Sequence, residues 1–293
     1  MDAEQFRKRY EAYREATEVY LDRLFLGDYP WENLYKSMRY SLLSGGKRIR
    51  PVLTLEVAQI GGIRDWHNAL PFACALELVH TYSLIHDDLP CMDDDELRRG
   101  KPTNHVVYGE TMATLAGDAL QAEAYGLIAN APKLGARAKV SAVASLAWAS
   151  GANGMVAGQV LDLTDFGRDR ETLTMLCDKK TCFMIKCAAE LGCAASGASQ
   201  KVCIATQTYA SLLGLAFQIQ DDLLDVVGDE AIFGKPIGSD AEEGKTTFVD
   251  VLGVEGCKTE VKRLTEEAIA ALDAVEDTNF LIQLAKNLAE RDK

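Results

Sequence analysis

The sequence predicts an all-α protein. Its 293 residues include only seven prolines. Long tracts are rich in Ala, Leu and Glu, and no segment alternates apolar and polar residues as a half-buried strand would. The length admits two domains, but no internal repeat of fixed period and no low-complexity linker divides the chain. A single domain over 1–293 is the economical expectation.

The elements follow in order. A helix over 3–26 places Phe6, Tyr10, Tyr13, Thr17, Tyr20 and Leu24 on one broad face. A second, over 30–44, is stopped by Gly45-Gly46. Pro51 suits a first helical position, so a third helix runs to Ile60 and ends at Gly61-Gly62. The segment 66–89 is long and mostly apolar, so it should lie deep. Helices over 111–130, 139–163, 170–192, 201–227 and 258–292 complete the set.

Composition narrows the function. Lys and Arg number 31 against 44 Asp and Glu, a formal charge of −13, which argues against nucleic acid or an anionic membrane as the main ligand. An acidic protein still binds anionic substrates where metals and local basic patches reverse the sign. The N-terminus lacks the apolar core of a signal peptide. The most apolar tract, 140–160, is interrupted by Ser, Gly and Asn and does not read as a membrane span. Eight cysteines include no Cys-x-x-Cys pair and, with four scattered histidines, give no zinc spacing. Reduced thiols in the cytoplasm are expected.

The chemistry concentrates between His80 and Pro102. This stretch begins apolar and becomes a carboxylate field, with six acidic side chains between Asp87 and Glu96 followed by Arg98, Arg99 and Lys101. Crowded like charges call for a cation. Oxygen-only ligands suit Mg²⁺, which binds through one or two carboxylates, keeps several waters and bridges to substrate phosphates. The arginines present planar forks to the same phosphates. A second acidic motif, Phe217-Gln-Ile-Gln-Asp-Asp-Leu-Leu-Asp225, also ends an apolar helix, and Asp221 and Asp225, four apart, share a face. In the first motif an ideal helix would align Asp87 with Asp94. Pro90 lies between them and removes a backbone donor, so helix geometry leaves Asp93 and Asp94 open. Either motif alone reads equally well as a solvated helix end; together they point to a shared metal site.

Basic residues gather where they could serve that site. Gly45-Gly-Lys-Arg-Ile-Arg-Pro51 sets Lys47, Arg48 and Arg50 on a glycine turn, where amides and cations receive phosphate. Lys180-Thr181 and the stretch from Gly234-Lys235 to Lys245 are individually less specific. His80 and His86 read as hydrogen-bonded core histidines.

Taken in order, these residues resemble the trans-isoprenyl diphosphate synthases, in particular the bacterial farnesyl/geranylgeranyl diphosphate synthase branch. Asp87-Asp88-x-x-x-x-Asp93 with Arg98-Arg99-Gly100 is similar to that family's first aspartate-rich motif, in the form with two extra residues, and Asp221-Asp222-x-x-Asp225 to its second. The glycine turn, Lys180-Thr181, Phe217-Gln218 and the Lys235 to Lys245 loop occur in the family's order, from about residue 40 to 250. The resemblance implies an isoprenoid-synthase-like helical bundle around a deep central cavity, working as a homodimer. It also implies Mg²⁺-dependent head-to-tail condensation of isopentenyl diphosphate with dimethylallyl or geranyl diphosphate. By the same resemblance Asp87 and Asp93 ligate two Mg²⁺ ions and Asp221 contributes to a third, with Asp88, Asp222 and Asp225 supporting. Arg98, Lys180 and Lys235 hold the allylic diphosphate, with Lys245 a weaker contact. Lys47, Arg50, His80 and Arg99 hold isopentenyl diphosphate, and Thr181 and Gln218 turn oxygens towards the developing cation. Cys182 stands where the family usually carries Gly.

Tyr82, five residues before Asp87, lies about 7.5 Å back along a helical axis. By resemblance an aromatic side chain there is a floor that favours the fifteen-carbon product, farnesyl diphosphate; its other reading is ordinary core. A geranylgeranyl diphosphate synthase and a class I terpene cyclase are the alternatives, although a cyclase has no use for the Gly-Gly-Lys-Arg-x-Arg set. A metal-dependent phosphohydrolase using His86-Asp87 would need further histidines, and His67 and His105 are awkwardly placed. A catalytically silent helical partner would not need both acidic motifs intact.

Overall fold

The structure, a computed structural model, describes residues 1–164, 167, 169–227 and 246–291, which are helical almost throughout. The helices are α1 Ala3–Asp22, α2 Glu32–Leu42, α3 Ile49–Ile60, α4 Leu70–Asp87, α5 Asn104–Tyr108, α6 Glu110–Ala129, α7 Ala136–Ser150 and α8 Met155–Leu163. They continue as α9 Arg170–Cys177, α10 Phe183–Ser196, α11 Gln200–Val227, α12 Phe248–Ala270 and α13 Asn279–Ala289. A 3₁₀ turn, Trp66–Ala69, leads into α4, and a π-helical turn, Asp178–Cys182, joins α9 to α10. Among the described residues the strands are β1 Leu97–Arg98 and β2 Lys101–Pro102, an antiparallel pair in which Leu97 faces Pro102.

The chain divides into two compact units, one of Asp2–Ala144 with Leu191–Gly197, the other of Met1, Ser145–Glu190 and Ala198–Lys293. In the first, α4 is the central element. Every side chain from Leu70 to Val79 is buried, as are Thr81, Tyr82 and Ile85. A helix apolar on all sides needs neighbours all round, and α1, α2, α3 and α6 pack against it. In the second unit α11 packs along α12 over a core of Leu173, Cys177, Cys182, Ala216, Ile219, Leu223, Phe248, Cys257, Val261 and Leu264. The stretch Gln200–Val226 is long and apolar enough to cross a membrane by composition.

Several boundaries differ from the sequence expectation, each for a local reason. The first helix stops at Asp22 because the Arg39 guanidinium takes the carbonyls of Asp22 and Leu24, at 2.6 and 2.8 Å, which satisfies C-terminal acceptors without another turn. The third starts at Ile49, behind Arg48 in a left-handed conformation (φ 51°); Pro51 then sits within the first turn, where a missing N–H leaves no helical bond unmade. The expected 139–163 helix is two, parted at 151–154. The last expected helix is also two, and the first of them begins ten residues early, at Phe248, where Thr247 and Asp250 form a capping box.

Candidate active site

In the first unit, α4 ends at Asp87, short of the expected Leu89, because the residue before Pro90 is pushed out of helical conformation. The chain then folds back. The Asp93 N–H donates to the Asp87 carbonyl at 2.9 Å, Asp94 N–H donates to Leu89 O at 3.2 Å, and Asp94 adopts a left-handed φ of 55°. The bond that helix arithmetic could not supply thus brings Asp93 beside the end of α4.

Asp88 is buried and serves the protein itself. Arg98 places Nε at 2.7 Å and Nη2 at 2.6 Å from its Oδ1, with Nη2 also 3.5 Å from Asp95. Burial opposes the charge on Arg98, but Asp88, Asp95 and Asp87 outweigh it and raise its pKa. The β1–β2 hairpin presents this arginine. Arg99 and Gly100 both carry positive φ, 55° and 72°, as a tight two-residue hairpin turn requires, and Tyr40 Oη anchors the hairpin by donating to Pro102 O at 2.7 Å.

At that turn the Arg99 guanidinium swings onto the glycine turn before α3. It donates to the Gly45 carbonyl, and a Cβ at Gly46 would stand 3.0 Å from its Nη1. A Cβ would crowd the guanidinium there, and φ of 135° at Gly46 calls for glycine on backbone grounds as well. Lys47 stays exposed on the turn. Arg48, expected among the phosphate-binding cations, points inward instead. Its guanidinium is 1% exposed and meets Glu77 at 2.6 Å, Glu18 at 2.8 Å and the Leu42 carbonyl at 2.7 Å. A buried cation so enclosed is structural, and removing one partner would leave an uncompensated charge.

His80 lies among these arginines. Withdrawal from water first, then the charges of Arg50, Arg99, Arg48 and Arg98, hold its imidazole well below the ordinary histidine range. It is therefore neutral at pH 7, able to donate one hydrogen bond while adding no charge. Tyr82 is 6% exposed and meets His86 edge-on at 5.7 Å. Burial, then Tyr125 and Asp87, push its phenol up to about 12. A cavity of about 30 Å³ is lined in part by Ser44, Thr81, Asp88, Arg98 and Arg99.

In the second unit the π turn positions Lys180 and Thr181. Lys180 Nζ pairs with Asp162 of α8 at 2.5 Å. Thr181 Oγ1 donates to Gln218 Oε1 at 3.1 Å, and Gln218 Nε2 donates to Asp222 Oδ1 at 2.9 Å. Gly158 on α8 makes this possible, since a Cβ there would lie 2.6 Å from the Lys180 Cα. Cys182 is accommodated with its Sγ 3.6 Å from that of Cys177, opposite Gly214. Asp221 is met by Arg291, which also donates to the Phe217 carbonyl at 3.1 Å and stacks over the Phe217 ring at 4.0 Å. A groove of about 670 Å³, bordered by Arg170, Met175, Phe248 and Arg263, contains none of the expected site residues.

The first unit thus gathers Lys47, Arg50, His80, Tyr82, Asp87, Asp93, Arg98 and Arg99, and the second gathers Lys180, Thr181, Gln218 and Asp221. Lys235 and Lys245 lie outside the described residues. Sequence reasoning missed Asp162, Gly158, Glu77 and Arg291. Asp162 offered a faint signal, a single carboxylate in the apolar run Met155–Leu163; Arg291 offered none. The donors fit Mg²⁺ in being carboxylate oxygens. Among the described residues no three acidic, imidazole or thiol side chains form a metal cluster.

Carboxylates and guanidinium groups set close together on an otherwise acidic helical frame are a side-chain set suited to proteins that handle diphosphate esters. Residues 31–284 match the Polyprenyl synthetase family, and the chain belongs to that family. It is 39% identical over 291 residues to the farnesyl diphosphate synthase of Bacillus subtilis, covering 97% of this chain and 96% of that one. It is 45% identical over 239 residues to the geranylgeranyl diphosphate synthase of Cyanophora paradoxa, with 80% and 79% covered. The solved geranyltransferase of Helicobacter pylori, complexed with magnesium and isoprenyl diphosphate, superposes with a TM-score of 0.82 at 34% identity, over 96% of this chain and 94% of that one. The fold is the all-α isoprenoid synthase fold, and the chain is a short-chain trans-prenyl diphosphate synthase, a prenyltransferase of isoprenoid biosynthesis.

Proposed function

We propose that the chain condenses isopentenyl diphosphate with dimethylallyl and then geranyl diphosphate and releases farnesyl diphosphate. It does so as a Mg²⁺-dependent cytoplasmic homodimer whose two units serve one catalytic domain. The magnesium in the H. pylori complex supports the metal. Eight free cysteines fit a reducing compartment, and Leu115 and Val140, 49% and 70% exposed, are apolar surface that a second copy could cover.

Three Mg²⁺ ions, held through Asp87, Asp93 and Asp221, would supply positive charge to the diphosphate as it departs. Arg98, Lys180 and Lys235 orient the allylic diphosphate so that its C1–O bond breaks with the electron pair leaving on oxygen. Lys47, Arg50 and Arg99 hold isopentenyl diphosphate, and neutral His80 adds a hydrogen-bond donor. Thr181 and Gln218 face the allylic cation with oxygen lone pairs. The terminal alkene carbon, C4, then bonds to C1 and leaves a tertiary cation at C3 of the isopentenyl unit, and C2 loses a proton to the released diphosphate as the new double bond forms.

The observation that carries the product length is Tyr82, buried on the helix that ends at Asp87. Its ring would close the apolar channel behind the growing chain. Product analysis with each allylic primer tests this reading. Wild type should stop at fifteen carbons, and Tyr82→Ala should extend a substantial fraction to twenty or more. An unchanged product profile in the variant would remove Tyr82 from the account, and twenty carbons from wild type would favour the geranylgeranyl reading that the 45% identical relative supports.

A further inference from the structure

We infer that Asp222 is a positioning residue: it fixes which end of the Gln218 amide faces Thr181. The inference rests on the proposed role of Gln218 beside the allylic cation and deepens it. Asp222 is 6% exposed. One of its oxygens accepts from Gln218 Nε2 at 2.9 Å, and the other accepts from the backbone N–H of Phe248 at 2.8 Å. A carboxylate only accepts, so the amide group pointing at Asp222 has to be the NH₂. The Gln218 oxygen is thereby turned the other way, where Thr181 donates to it at 3.1 Å. The negative end of the amide dipole is thus presented on the Thr181 side, the sense that stabilises a carbocation and the opposite of what a freely rotating glutamine would guarantee.

The second bond makes the device rigid. Phe248 opens α12, so its N–H is one of the donors that a helix start leaves unpaired. Asp222 satisfies it across 26 residues of chain. The same carboxylate ties the end of α11 to the start of α12 and orients the glutamine one turn earlier on α11. Its position in an aspartate-rich motif suggests a metal-side role, yet both oxygens are occupied by protein donors.

Asp222→Asn separates these possibilities. Asparagine has the same shape but one oxygen and one NH₂. The Phe248 N–H cannot rotate away, so it keeps the oxygen. The new NH₂ then faces Gln218, whose amide must turn over to accept from it, which points NH₂ at Thr181. We expect kcat to fall by about 10²-fold, with KM for both diphosphates and the Mg²⁺ concentration for half-maximal rate each within about twofold of wild type. Asp222→Asn combined with Gln218→Glu should recover at least about tenfold of the lost rate, because a glutamate accepts at both ends and the pair keeps one negative charge. Exchange of the Gln218 side-chain amide protons, followed by NMR in the full-length protein, should be slow in wild type. In Asp222→Asn those protons should exchange faster.

This exchange readout stands whether or not the wild type condenses prenyl diphosphates, and an inactive wild type counts against the proposed function alone. The inference is overturned if Asp222→Asn keeps wild-type kcat or leaves the exchange of those protons unchanged. A defect that Gln218→Glu fails to rescue also overturns it, and a raised Mg²⁺ requirement would then assign Asp222 to the metal side.

Discussion

Asp87→Ala is expected to lower turnover by about 10³-fold while leaving the helical content intact. The two halves of that statement have separate causes. The turn beyond α4 is held by the Asp87 carbonyl accepting from Asp93 N–H at 2.9 Å, a backbone bond that alanine retains. α4 itself is fixed by burial from Leu70 to Ile85. What disappears is a carboxylate that would fix a divalent cation against a departing diphosphate, and one misplaced stabilising group of this kind costs on the order of 10²–10³ in rate. Steady-state condensation assays over a Mg²⁺ titration, with far-UV circular dichroism as the control, make the test. Near-normal turnover would remove Asp87 from the metal assignment.

The second large effect is expected at a residue with no chemistry of its own. In Gly158→Ala the new methyl carbon would lie 2.6 Å from the Lys180 Cα and closer still to its nitrogen. Backbone atoms cannot rotate out of the way, so α8 or the π turn has to move. That turn carries Lys180, paired with Asp162 at 2.5 Å, and Thr181, bonded to Gln218 at 3.1 Å. A displacement of about 1 Å in positioning groups can cost about 10² in rate, and overpacking costs about 1–3 kcal/mol. We expect kcat/KM to fall by about 10²-fold or more, together with a lower urea midpoint. An active variant with an unchanged midpoint would show that the close approach carries no weight.

How far the sequence reveals this molecule differs from element to element. The all-α class and the deep burial of α4 follow from long apolar tracts, which the structure bears out. Periodicity leaves Asp93 and Asp94 open, because the bond that places Asp93 beside Asp87 forms after the helix has ended, between Asp93 N–H and the Asp87 carbonyl. The π turn at Asp178–Cys182 is hidden in the sequence because its residues are compatible with ordinary helix, and the close approach of α8 to it through Gly158 is a tertiary contact. The sequence sets Arg48 with the phosphate-receiving cations of the glycine turn, because Glu77, the buried partner that draws it inward, lies 29 residues away. Arg291, which meets Asp221 across 70 residues, has no local signature at all. Local chemistry is legible along the chain, whereas pairings made by folding are not.

The proposed activity joins two different diphosphates. The purified protein should be given Mg²⁺ with isopentenyl diphosphate and geranyl diphosphate together, then with each alone and with farnesyl diphosphate alone, and the organic products identified by mass. The account predicts farnesyl diphosphate and inorganic diphosphate in equal amounts from the pair, and no prenyl product from any single substrate. A cyclic hydrocarbon released from farnesyl diphosphate alone, with no product from the pair, would contradict it.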